Sequence, residues 1–129
     1  MDGAPMKADS PAASDATVCL AAALSATPEW LAWEAAAVLV HSDPVAQRAS
    51  AAYDERMQGL RLNLMLQAAS AEEKADLERL RGAVFAVPSV RAYAEAENAL
   101  KELCAATSQR LSQAIGLDFA ASCATGCCS

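Results

Sequence analysis

Residues 90–115, VRAYAEAENALKELCAATSQRLSQAI, decide how this chain folds. At about 100° per residue, Val90, Tyr93, Ala96, Leu100, Leu103, Cys104, Thr107, Leu111, Ala114 and Ile115 share one arc. Arg91, Glu95, Asn98, Glu102, Gln109 and Gln113 lie opposite. A stripe of this length without internal Gly or Pro predicts an amphipathic helix that buries one face and solvates the other. Pro88 suits its first turn, where a missing N–H costs nothing, and Gly116 stands just past its end, where a left-handed cap favours glycine. The partners that cover its apolar face must come from upstream.

Directly upstream, Ser70-Ala71-Glu72-Glu73 reads as a capping box that opens a helix with Leu77, Leu80 and Val84 on its stripe. Lys74 and Glu78 form an i,i+4 pair on it, and the turn Ala86-Val87-Pro88 leads into the long helix. Before that, Asp43-Pro44 caps and starts a helix expected to run to about Ala69, with Val45, Ala49, Tyr53, Met57, Leu60 and Leu64 on one side. Leu62, Met65 and Leu66 give its second half another apolar face. The run from Leu60 to Leu66 also alternates with period two, as a strand does, but no other segment offers a pairing partner and its residues are good helix formers. Two apolar faces imply either a deep position in the bundle or a subunit interface, and the interface is the favoured reading, with Leu62, Met65 and Leu66 as its residues. Mid-helix Gly59, costing roughly 0.5–1 kcal/mol relative to Ala, marks a close crossing or a bend.

Thr27 with Pro28 repeats the cap-then-proline device and starts a helix to about Val40 that is apolar nearly all round, with Trp30, Leu31, Trp33, Val38 and Leu39. Ser14 or Asp15 is the expected cap of a short first helix carrying the apolar residues 18–24. All connections are short. The chain is therefore expected to be all-α, an antiparallel bundle of about five helices with a long C-terminal helix and a short cysteine-bearing tail. Residues 1–13 read as a disordered leader, 14–116 as the bundle and 117–129 as a flexible tail.

A chain of 129 residues is one domain's worth, and 54% hydrophobic with 5% aromatic content describes a core of Ala, Leu and Val. Net charge is −6 with dispersed arginines, which disfavours direct binding to nucleic acid. The first residues lack a basic region followed by an apolar one, and no run approaches the ~18 apolar residues of a membrane span. The expectation is a cytoplasmic protein without membrane insertion.

Catalysis by a nucleophile needs a base and a group to orient it. The single histidine, His41, sits at a helix C-terminus, where capping is the plain reading. Neither a phosphate-binding glycine loop nor a metalloprotease His-Glu spacing is present, so no enzyme is expected. Glu97 falls inside the edge of the apolar arc; such a residue snorkels or pairs with a neighbour's arginine, and the alternative is a contact that sets a partner's register.

Five cysteines do not form a disulfide framework, and in a reducing compartment they are thiols or ligands. Cys19 and Cys104 lie in apolar helical patterns, where cysteine acts as a small hydrophobe. Cys123, Cys127 and Cys128 lie outside any such pattern and are candidate ligands for zinc or an iron–sulfur cluster, with Gly126 allowing the backbone to turn. Their spacing is not the common C-x2-C, and a fourth thiolate would come from Cys104, from Cys19 or from another chain. The alternative is a set of oxidisable thiols.

Taken together, Thr27-Pro28-Glu29-Trp30, Asp43-Pro44, Val87-Pro88-Ser89-Val90-Arg91-Ala92-Tyr93-Ala94-Glu95-Ala96-Glu97, Gly116-Leu117-Asp118-Phe119 and the terminal Cys127-Cys128 resemble the YlbF/YmcA family of small bacterial helical regulators. The resemblance spans residues 15–129. It implies a cytosolic, non-enzymatic helical protein that forms a homo- or hetero-oligomer with related regulators. Members act on competence, sporulation and biofilm formation through a complex that also influences messenger-RNA processing by a membrane-bound ribonuclease. Some related complexes carry iron–sulfur clusters on cysteines, which Cys123, Cys127 and Cys128 would match, although this tail is shorter than the cysteine-rich tails of some relatives.

Overall fold

The computed structural model describes residues 10–118, which form five helices and, among the described residues, no strand: α1 (Pro11–Ser25), α2 (Pro28–Ser42), α3 (Pro44–Met65), α4 (Ala71–Ala86) and α5 (Pro88–Ile115). The all-α expectation holds, and the run from Leu60 to Met65 completes α3 rather than a strand.

The caps explain the boundaries. Thr27 Oγ1 accepts from the Trp30 N–H at 3.3 Å ahead of Pro28, and Asp43 Oδ1 accepts from the Val45 N–H at 2.9 Å ahead of Pro44. Ser70 and Glu73 complete the reciprocal capping box of α4. Gly116 ends α5 in the left-handed region at φ 73°, its N–H bonded to Ser112 O at 2.9 Å.

Two boundaries differ from expectation. α1 begins at Pro11, capped by Ser10 rather than by Ser14 or Asp15. Ser10-Pro11 is the same cap-then-proline device as Thr27-Pro28 and Asp43-Pro44, so the first turn of α1 takes in residues assigned above to the leader; residues 1–9 lie outside the described residues. α3 ends at Met65 instead of near Ala69. There Gln67 N–H bonds Leu64 O at 3.2 Å and Ala68 N–H bonds Asn63 O at 2.7 Å, the two bonds of a Schellman motif. Its left-handed residue is Gln67 at φ 54°, a position that usually holds glycine, so the sequence carried no stop signal.

α2 packs chiefly on α5 and α3 on α4, while α2–α3 and α4–α5 contacts join the two pairs. Ser89 at the start of α5 meets Asp43 at the end of α2, which makes that pair antiparallel; the short 66–70 connection makes α3 and α4 antiparallel too. The buried residues are Ala36, Ala46, Leu60, Leu77 and Val87, with a tilted aromatic row of Trp30, Trp33 and Tyr93 between α2 and α5, at centroid separations of 5.3 and 6.4 Å.

Packing revises the expected stripes in three places. In α3 it is Ala46, at 1% exposure, that is buried, and Val45 faces outward. In α5 the arc is half-buried as far as Thr107 apart from exposed Cys104, but Leu111, Ala114 and Ile115 are bare. Gly59 marks no close crossing: a Cβ built there meets nothing within 4 Å, because the residue borders an open groove with Ala52, Arg56 and Leu80.

Candidate interaction surface and cysteine positions

Leu62, Met65 and Leu66 stand 66, 72 and 67% exposed at the C-terminal end of α3. Leu62 is two residues from buried Leu60, hence about 160° around the helix from it, on the side away from the core. The deep-burial alternative is thereby overturned. Beside this ridge an open groove of about 430 Å³ is lined by Met57, Gln58, Arg61, Leu64 and Met65. Apolar side chains flanked by one guanidinium, on a rigid helix, suit the apolar face of another protein segment.

The joint between α2, α3 and α5 is polar. Ser89 Oγ donates to Asp43 Oδ2 at 2.6 Å while Asp43 Oδ1 caps α3. The Ser89 hydroxyl and the Val45 N–H hold the Asp43 carboxyl below its ordinary pKa. A depressed carboxylate contributes stability above its unfolded pKa and loses it as pH falls through the folded one, so acid loosens this joint. In α4, Asp76 accepts from Arg79 at 2.7 Å and from Arg56 of α3 at 2.9 Å; these guanidinium bonds lower its pKa likewise and tie α3 to α4.

His41 does belong to a helix end: its Nδ1 meets Ala37 O at 2.7 Å, so that nitrogen carries the hydrogen, while Gln47 Nε2 donates to the Val40 and His41 carbonyls at 3.3 and 3.2 Å. Gln47 is the cap that sequence reasoning missed, since its reach depends on how α3 turns back on α2. Glu97 pairs with Lys101 of its own helix at 3.6 Å instead of with a neighbour's arginine, a solvated pair of small worth.

Cys19 and Cys104 are both exposed, which corrects their reading as core residues. α1 buries no residue fully, and Cys104 sits on the outer edge of the α5 arc. Cys123, Cys127 and Cys128 lie outside the described residues. Among the described residues no cluster of His, Cys, Asp or Glu is placed to hold a metal. Cys104 lies about 18 Å up the helix from Gly116, and the seven residues from Gly116 to Cys123 can span up to about 25 Å. The chain is therefore long enough to bring tail thiols to Cys104, and four thiolates are a donor set that suits zinc or an iron–sulfur cluster.

Capped helices, two antiparallel pairs and an uncovered apolar ridge define a small all-helical bundle, and no helix among the described residues is long and apolar enough to cross a membrane. The chain belongs to the YlbF/YmcA family: the family model described as control of competence regulator ComK, YlbF/YmcA, matches residues 14–116, so this is a regulatory protein. No curated protein and no solved structure matches the chain.

Proposed function

We propose that this regulator is a cytosolic adaptor without catalysis of its own, acting by self- or hetero-association through the α3 ridge of Leu62, Met65 and Leu66. Developmental control with an outlet in messenger-RNA processing is the pathway that the family resemblance implies. The observation that carries the reading is the ridge itself: three large apolar side chains, each about two-thirds exposed, beside an apolar groove. Leaving them in water forfeits roughly 1.5–3 kcal/mol for each side chain that a partner would bury. Sedimentation of the full chain at micromolar concentration tests it. The wild type is expected above single-chain mass, and Leu62→Asp with Leu66→Asp is expected to lower that mass while helical circular dichroism is kept. A wild type that stays a single chain, alone and with related helical regulators added, overturns the reading.

A second reading is favoured by the exposure of Cys104 and its reach from the tail. Cys104, Cys123, Cys127 and Cys128 would hold zinc or an iron–sulfur cluster, making the regulator responsive to redox state. Anaerobically purified protein is then expected to carry metal that is lost when Cys123, Cys127 and Cys128 are all changed to Ser. Colourless, metal-free wild type sinks this second reading and leaves the first intact.

A further inference from the structure

Methionine is an apolar side chain whose polarity a single reversible reaction can change. The sequence holds Met1, Met6, Met57 and Met65, and the two that fall within the described residues line the same groove on α3. They stand about 12 Å apart along the helix, with Arg61 midway, one turn from each. Met65 is 72% exposed and Met57 37%, so both side chains meet solvent with the fold intact. Leu62 and Leu66 beside them are chemically inert.

We propose that Met65, with Met57 as a slower second site, is a redox modification site: oxidation by a hydroperoxide to methionine sulfoxide turns the α3 groove polar and blocks association there. The inference rests on the ridge being the association surface proposed above. In the step, a sulfur lone pair attacks one peroxide oxygen, and the S–O bond forms as the O–O bond breaks. The proton of the attacked oxygen passes to the departing one, which leaves as water or an alcohol. Sulfur gives up two electrons and the peroxide takes them. A dithiol reverses the change, becoming a disulfide while the sulfoxide oxygen leaves as water.

The position of Arg61 strengthens the effect. A sulfoxide oxygen is a hydrogen-bond acceptor, and the guanidinium supplies donors one turn from either sulfur. None of the ion pairs among the described residues engages Arg61. A partner's apolar face would then have to strip water from a polar group that the unmodified groove does not carry, at a cost that burial of Leu62 and Leu66 has to offset. Association in turn covers Met65, so the separated chain is the form that reacts.

The test treats the full chain with hydrogen peroxide and then with a thiol reductant, and reads peptide masses and sedimentation equilibrium on the same samples. Sulfoxide is expected at Met65 before Met57, with the association constant falling roughly tenfold to a hundredfold and helical circular dichroism unchanged. Met57→Leu with Met65→Leu keeps the groove apolar and helical, and this variant is expected to associate as before and to stay associated after peroxide. Met1, Met6 and the five cysteines are the same in both proteins, so the difference between them belongs to the groove. An equal loss in the leucine variant overturns the proposal, as does oxidation of Met57 ahead of Met65. Sulfoxide at Met65 without any loss of association, where Leu62→Asp with Leu66→Asp still lowers the mass, overturns the switch and leaves the ridge standing. An untreated wild type that stays a single chain, alone and with related helical regulators added, overturns both.

Discussion

Leu60→Ala is expected to destabilise the fold by about 2–4 kcal/mol, a large part of the whole stability of a domain this size. Leu60 is 3% exposed and, with Leu77 of α4, is one of only two buried leucines among the described residues. Removing its branched end loses that burial and leaves a cavity that the surrounding structure fills only in part. Urea unfolding followed by helical circular dichroism, at one fixed protein concentration because association adds to apparent stability, gives the number. Leu62→Ala is the control. Two residues along the same helix but 66% exposed, it should change the unfolding free energy of the separated protomer by no more than about 0.5 kcal/mol. Equal losses at the two positions would mean that Leu62 is not on the outer side of α3.

The contrast between Leu60 and Leu62 also shows how far the sequence could be read. Periodicity put both in a helix and detected two apolar faces, because spacing is a local property. Which face meets a neighbour depends on the direction of α4, which no local pattern carries. The caps were legible at Thr27, Asp43 and Ser70 because an oxygen-bearing side chain before a helix start has one common use. Ser10 has the same chemistry but precedes a run of small residues with no apolar stripe to announce a helix. The end of α3 was hidden for the opposite reason: Gln67 takes a left-handed conformation without being glycine. Among the candidate site residues, Leu62, Met65 and Leu66 are exposed on α3. Cys104 was placed on the apolar arc by angle alone. It is exposed because it sits on the outer edge of that arc, while Leu103 and Thr107 on the same helix are half-buried.

The joint at the start of α3 is a second sensitive place in the fold. Ala46→Leu is expected to cost about 1–3 kcal/mol, whereas Val45→Leu, one residue away on the outer side and 51% exposed, should be close to neutral. Ala46 is the most buried residue described, at 1% exposure, and it follows the Asp43 cap by less than one turn. A larger side chain there has to push α3 away from the elements packed on it, and the Ser89 to Asp43 bond, at 2.6 Å, spans that gap. The strain should therefore appear in a second observable. Lengthening the bond removes the chief cause of Asp43's depressed pKa, so carboxyl titration by NMR should find it moved back up toward the ordinary carboxylate value in Ala46→Leu and unmoved in Val45→Leu. Stability would follow with the matching sign. Less of it is left to lose as pH falls through the Asp43 titration, so the variant is weaker at neutral pH yet less sensitive to acid there. Loss of stability with Asp43 unchanged would show that the wedge is absorbed between α2 and α3 alone, and that the polar joint to α5 is independent of the packing beneath it.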